Sequence, residues 1–233
     1  MLVKSKVIVL LSGGIDSTTC LAMALDKRSK EDVMAVSLIY GQKHIKEIEC
    51  SRKIAEYYGV KHIEHDISSV MSFSNCPLLA KSTEGIKHES YADQLKAMGG
   101  EGTVDTYVPF RNGVLASVAA SIALQFGFDE VWYGAHADDA AGRAYPDCTP
   151  EFVDNMQKAI FEGTAGKITL RAPLLFFNKA DVVLAGSELG APYQFTWSCY
   201  EGGEKPCGKC ATCLDRAKAF ADNELTDPAL EEI

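Results

Sequence analysis

The chain is short of positive charge and has no long apolar run. Its 233 residues carry 23 lysines and arginines against 32 aspartates and glutamates, a formal net charge of −9. A broad nucleic-acid surface is normally basic, so this balance argues against one, though not against a small basic patch. No stretch approaches the roughly 18 apolar residues that mark a membrane-spanning helix. The N-terminal apolar run is short and breaks at Ser12-Gly13-Gly14, unlike a secretory leader. These absences set the expectation of a soluble cytoplasmic protein with neither nucleic acid nor membrane as partner. Repeats and low-complexity tracts are also missing. What is present is an ordinary globular composition, 47% hydrophobic and 24% charged, in a chain long enough to bury a full core.

One further absence is informative. A glycine loop at Ser12-Gly13-Gly14-Ile15-Asp16-Ser17 follows the apolar run Lys6–Leu11, yet no lysine comes after Gly14 until Lys27. The loop is therefore not a Walker A motif, whose lysine grips the β- and γ-phosphates. The pattern still predicts strand, glycine loop and helix. Two glycines allow close backbone approach, the free N–H groups of a helix start favour an anion, and Ser12, Ser17 and Thr18 add hydroxyls. An oligophosphate fits such a cradle. The motif resembles the S-G-G-x-D-S loop of the ATP-pyrophosphatase superfamily, whose members generally break ATP between the α- and β-phosphates and adenylate a substrate oxygen.

Periodicity predicts further helices over 17–27, 44–58, 111–126, 149–162 and 178–189, and strands over 33–40, 61–67, 130–134 and 168–172. Alternating strands and helices imply an α/β fold with a doubly wound parallel sheet. Ligands in such sheets sit beyond the carboxyl ends of the strands. Ser12–Ser17, Tyr40-Gly41-Gln42 and Gly134–Cys148 should converge there. Residues 68–106 are polar and aperiodic, which predicts a lid or substrate cover, with a surface insertion carrying one short helix as the alternative, within an ATP-binding domain spanning 1–190.

Residues 191–233 contain Cys199, Cys207, Cys210 and Cys213, the last three as C-x2-C-x2-C. Four clustered thiolates fit a closed tetrahedral zinc site, which stabilises folding and leaves no position for catalysis. The competing readings are an iron–sulfur cluster, two disulfides or a redox pair, of which a reducing compartment disfavours the disulfides. A small C-terminal zinc-binding extension is expected.

Other residues carry plausible chemistry. Arg111 starts a helix after Val108-Pro109-Phe110, and its planar fork suits phosphate or carboxylate. Lys179, at another helix start, is placed to reach phosphate. Asp138, Asp139 and Asp16 are candidate Mg2+ ligands. His136 is more simply read as structural. Asp147 in Tyr145-Pro146-Asp147-Cys148 has a carboxylate suited to the paired N–H groups of a guanine-like edge, although these residues by themselves read better as an ordinary turn aspartate.

Taken together, the loop Ser12–Cys20, Tyr40-Gly41-Gln42, Val108–Asn112, Tyr145–Cys148 and the spacing of the four cysteines resemble the 7-cyano-7-deazaguanine synthases, the QueC family of the queuosine pathway. The resemblance runs from residue 12 to residue 213. It implies that 7-carboxy-7-deazaguanine is activated by ATP and converted with ammonia to an amide and then a nitrile. Mg2+ assists ATP, and a homodimer holds one structural Zn2+ per subunit. It implies nucleotide contacts along Leu10, Leu11, Ser12, Gly13, Gly14, Ile15, Asp16, Ser17, Thr18, Thr19 and Cys20, and at Tyr40, Gly41 and Gly134. Substrate contacts are expected at Arg111, Asn112, Tyr145 and Asp147, and catalysis at Asp16, Arg111 and Lys179. The alternatives are a tRNA-modifying enzyme on the same fold, a relative that stops at the amide, and a non-enzymatic zinc module.

Overall fold

The computed structural model describes residues 5–231. Five strands, β1 (Val7–Leu10), β2 (Val33–Ile39), β3 (Lys61–Asp66), β4 (Glu130–Trp132) and β5 (Thr169–Arg171), form one sheet in the order β3-β2-β1-β4-β5. Every pairing is parallel, with Val7 opposite Val33 on one side of β1 and Glu130 on the other. The helices are α1 (Ile15–Lys27), α2 (Lys46–Tyr58), α3 (Ser68–Met71), α4 (Tyr91–Ala97) and α5 (Arg111–Phe126) in the first half. They continue with α6 (Ala137–Ala140), α7 (Pro150–Gly163), α8 (Lys179–Glu188), α9 (Ala211–Asp222) and α10 (Pro228–Glu231). Among the described residues, no helix is long and apolar enough to cross a membrane.

Successive strand residues point to opposite faces, and the sequence fills both with apolar side chains. Ile8, Leu10, Met34, Val36 and Leu38 pack with Ala116, Ala119, Ala120 and Ala123 of α5 and with Val153 and Ile160 of α7. The alanines recur at helical spacing, so their small side chains let α5 lie close to the sheet. Val7, Val9, Val33, Ala35 and Trp132 face the other way, onto Ile15 and Leu21 of α1, Ile54 of α2, Val182 and Val183 of α8, and Phe220 of α9. The sheet is thus doubly wound, as the alternation predicts. Its strand order reverses between β1 and β4, and the loops leaving these two strands part to open a crevice.

Helix ends follow local chemistry. Gly59 and Gly127 close α2 and α5 in the left-handed conformation. Thr149 caps α7 with Pro150 behind it, and Asn178 and Asp181 form a reciprocal capping box on α8. The helix expected from residue 44 begins at Lys46. His44 instead packs so tightly on Gly202 that any side chain there would collide with its ring.

Residues 68–106 contain α3 and α4 and are anchored by buried Met71, Cys76, Leu78, Leu79 and Val104. Residues 191–231 share the core of the sheet through Tyr193, Ala219 and Phe220. Buried Arg216 ties this segment together. It donates to Asp227 through Nε (2.5 Å) and Nη2 (2.8 Å), and its Nη1 donates to Thr196 Oγ1 at 2.9 Å.

Candidate active site

The crevice is built first by the glycine loop. Gly13 has φ +88°, and an added Cβ would intrude on the Glu47 carbonyl oxygen and lie 2.9 Å from the Ser51 amide nitrogen. The loop can therefore nest against α2 only with glycine at this position. Gly14 caps α1, leaving its first N–H groups facing the opening. The loop holds its own shape: Ser12 N–H donates to Ser17 Oγ (3.1 Å), the two serine hydroxyls lie 3.0 Å apart, and Thr18 Oγ1 donates to Gly14 O (2.7 Å). Gly134 admits the turn after β4, because a Cβ there would lie 3.0 Å from Asp16 Cβ. On the outer side, Trp197 N–H donates to Gly13 O at 3.0 Å, joining the cysteine-bearing segment to the loop.

Leu10, Leu11, Ser12, Gly14, Ile15, Asp16, Ser17, Tyr40, Arg111, Asn112, Gly134, Tyr145 and Lys179 all line the crevice. Thr18, Thr19 and Cys20 do not. They are fully buried beneath the loop, where Thr19 Oγ1 is bonded to Ile15 O and Tyr193 OH and Cys20 sits in the apolar core. Gly13 and Gly41 are not among the lining residues either; both take left-handed φ, +88° and +89°. Asp147 also lies behind the lining residues. It is only 2% exposed, accepts Asn112 N–H on Oδ2 (2.8 Å) and Asn112 Nδ2 on Oδ1 (3.2 Å), and therefore positions Asn112.

The crevice has two chemically distinct ends. At the loop end, Lys179 Nζ donates to both oxygens of Asp16, at 2.7 and 2.8 Å. Burial pushes the Asp16 carboxyl up, but Lys179 and His136 outweigh it and hold the group below the usual carboxylate range. Buried His136 lies 3.3 Å from Asp139, whose carboxyl is raised chiefly by burial. Asp138 faces elsewhere and accepts the Lys179 backbone N–H at 2.7 Å. Asp215, from the first turns of α9, faces the crevice here, and burial pushes its carboxyl up to about 6 against the pull of Lys179.

At the far end, Arg111 Nη1 donates to Tyr40 OH at 3.2 Å, with the guanidinium 5.2 Å from the centre of the Tyr40 ring. Glu47 lines the same end, its carboxyl pushed up to about 7 by burial and partly restrained by Arg111. Three tyrosine hydroxyls from three segments meet beside them. Tyr91 and Tyr200 lie 2.6 Å apart, and Tyr145 OH donates to Tyr91 OH at 3.0 Å. Glu47, Tyr91, Tyr200, Trp197 and Asp215 escape sequence reasoning. The available signals were weak: Glu47 lies in the first turn of the helix after Tyr40-Gly41-Gln42, and Tyr200 directly follows Cys199.

The four cysteines gather with all Sγ atoms within 4.8 Å of one another. Cys207 and Cys213 Sγ stand 4.0 Å apart, close to the edge of about 3.8 Å that follows from a tetrahedron with Zn–S distances of about 2.3 Å. That separation excludes a disulfide between them. Backbone N–H groups of Cys207, Lys209 and Cys210 donate to Cys199 or Cys207 sulfur at 3.3–3.4 Å, as thiolates require. The donor set can therefore hold a metal ion in a closed four-sulfur site, and its chain neighbours Trp197, Ser198, Tyr200 and Thr212 line the crevice.

The family model described as queuosine biosynthesis protein QueC matches residues 6–224. The chain is 40% identical over 228 residues to a 7-cyano-7-deazaguanine synthase of Archaeoglobus fulgidus, covering 97% of this chain and 90% of that relative. It is 39% identical over 226 residues to one of Oceanobacillus iheyensis, covering 96% of each. Among solved structures, the U34-tRNA thiolase NcsA from Methanococcus maripaludis with its 4Fe-4S cluster aligns with a TM-score of 0.52 at 16% identity. That alignment covers 94% of this chain and 65% of the thiolase, and at such identity the likeness concerns the fold alone.

Proposed function

The chain belongs to the QueC family of queuosine biosynthesis proteins, and from that premise we propose that it converts 7-carboxy-7-deazaguanine and ammonia to 7-cyano-7-deazaguanine with ATP. In this reading it is a cytoplasmic C–N bond-forming ligase that works as a homodimer. The observation that carries the reading is the two-ended crevice at the switch point of the sheet. A glycine loop with Lys179 and Asp16 suits a triphosphate, and Arg111 at the other end suits a carboxylate.

A carboxylate is a poor electrophile, so ammonia reacts with it only after activation. The substrate carboxylate attacks the α-phosphorus of ATP, and pyrophosphate leaves onto the loop and Lys179. Ammonia then displaces AMP to give the amide. The amide oxygen attacks a second ATP, and loss of AMP from that adduct leaves the nitrile. The protein contributes positioning and fixed charge. The loop amides and the Ser12 and Ser17 hydroxyls orient the phosphates, and Arg111 orients the carboxylate. Asn112, fixed by Asp147, and Tyr145 hold the deazapurine. Tyr91, carried by residues 68–106, covers the site and shields the adenylate from water. Mg2+ held by Asp16 and Asp139 with phosphate oxygens would neutralise charge on the leaving pyrophosphate. Zn2+ held by Cys199, Cys207, Cys210 and Cys213 would stiffen the wall that carries Trp197 and Tyr200.

The test is incubation with Mg-ATP, ammonium and 7-carboxy-7-deazaguanine, followed by mass spectrometry. Nitrile is the expected product. An amide that accumulates unchanged would identify a relative that stops halfway, and no product would refute the reading. K179M should lower acid-dependent pyrophosphate exchange by about 10²–10³-fold, as removal of one oriented charge at a transition state does.

A further inference from the structure

We propose that Glu47 is the base that removes the nitrogen-bound protons in both halves of the reaction. The proposal rests on the nitrile-forming reading above and assigns it a residue. Among the described residues, the other acids of the loop end are already engaged: Asp16 with Lys179, Asp139 with His136, and Asp138 with the Lys179 backbone. Asp215 stands beside Lys179 and Asp139, where phosphate would lie. Among the acids lining the crevice, Glu47 is the one whose leading charged partner is Arg111, and its side chain makes no hydrogen bond or ion pair among the described residues.

Its backbone is fixed although its side chain is free. The Glu47 carbonyl packs on Gly13, so the residue is locked in register with the phosphate loop. The groups facing it are Arg111 from α5, Tyr40 from the end of β2 and Cys50 on its own helix. Burial outweighs the pull of Arg111 and brings the carboxyl to about 7, so it can take up a proton and release it at neutral pH.

The chemistry needs such a group in both halves, for three nitrogen protons in all. When ammonia attacks the acyl-adenylate, a C–N bond forms, the C–O bond to AMP breaks with its electron pair leaving on AMP, and a nitrogen proton must depart. When the amide is activated, its oxygen bonds the α-phosphorus and pyrophosphate leaves. One nitrogen proton is lost to give the imidate. The second is lost as the C–O bond to AMP breaks and the C≡N bond forms. Nothing is oxidised or reduced, and the net change is loss of water from the amide, its elements going to AMP and protons. Adenylation of the acid moves no nitrogen proton.

This asymmetry supplies the test. In the full chain with Mg-ATP, E47Q should retain acid-dependent pyrophosphate exchange within about threefold. Its amide and nitrile formation should both fall by about 10²–10⁴-fold, the usual range for loss of a general base. E47D, which keeps an acid one methylene shorter, should recover about tenfold or more over E47Q. Nitrile formation by E47Q at wild-type rate would overturn the proposal. So would exchange that falls in parallel with the ammonia-dependent steps, since that is what a structural role would produce. Absence of nitrile from the wild-type chain would instead refute the reading beneath it, a failure seen before any variant is compared.

Discussion

Replacing Gly13 with alanine separates the two glycines of the loop. A left-handed φ of +88° costs a non-glycine residue about 1–2 kcal/mol. The added methyl would also press on the Glu47 carbonyl and approach the Ser51 nitrogen to 2.9 Å and Cys50 Cβ to 3.0 Å. These neighbours are backbone or the root of a side chain, so α2 must shift, an overpacking that costs about 1–3 kcal/mol. Together the terms give about 2–5 kcal/mol. For a chain of this size that corresponds to a melting temperature lower by about 4–20 °C. ATP binding should weaken as well, because Trp197 and α2 both hold the loop through this residue. G14A is the control. Gly14 has φ −88°, and its added Cβ would meet nothing nearer than 3.6 Å, so the loss should be about 1 kcal/mol or less. Differential scanning calorimetry and ATP titration read both effects. If G13A melts and binds ATP like G14A, the argument from close approach is wrong.

Three further outcomes follow from the packing. Burial raises the Glu130 carboxyl, but hydrogen bonds from Trp132 and Ser5 and the charges of Arg171 and Arg28 overcome this and hold it below its usual value. A depressed folded pKa gives stability that is complete above the unfolded value of about 4.3 and is lost as pH falls through the folded one. Urea unfolding should therefore show wild type losing more stability than E130Q between about pH 5 and pH 3, and equal acid limbs would contradict the assignment. R216M would strand the buried carboxylate of Asp227, at a cost of about 3–5 kcal/mol in equilibrium unfolding, whereas a loss under about 1 kcal/mol would show the pair to be dispensable. Metal analysis should find one zinc per chain, and C213S should lose it, melt earlier and bind ATP more weakly, because Trp197 couples that wall to Gly13. Iron in place of zinc would refute the metal assignment.

Much of this architecture was legible along the chain because its causes are local. Apolar strand runs, capping residues and glycine stops specify their own elements. The alternation of those elements requires a parallel sheet, and a glycine loop between strand and helix implies an anion site wherever it lies. Four cysteines within fifteen residues likewise announce their own site. The convergence of α2, α5 and the cysteine segment was not legible, because no local rule specifies it. It follows from the strand order β3-β2-β1-β4-β5, which opens the crevice between β1 and β4 and brings residues from distant segments to its rim. That order placed Glu47 beside Arg111 and joined the hydroxyls of Tyr91, Tyr145 and Tyr200. It also turned Thr18, Thr19 and Cys20 inward, since α1 must bury its sheet-facing side, and it gave Asp147 to Asn112 because a buried carboxylate takes the nearest N–H groups available. Residue chemistry and spacing along the chain determined the loop, the sheet and the cysteine cluster, whereas packing alone decided which side chains line the crevice.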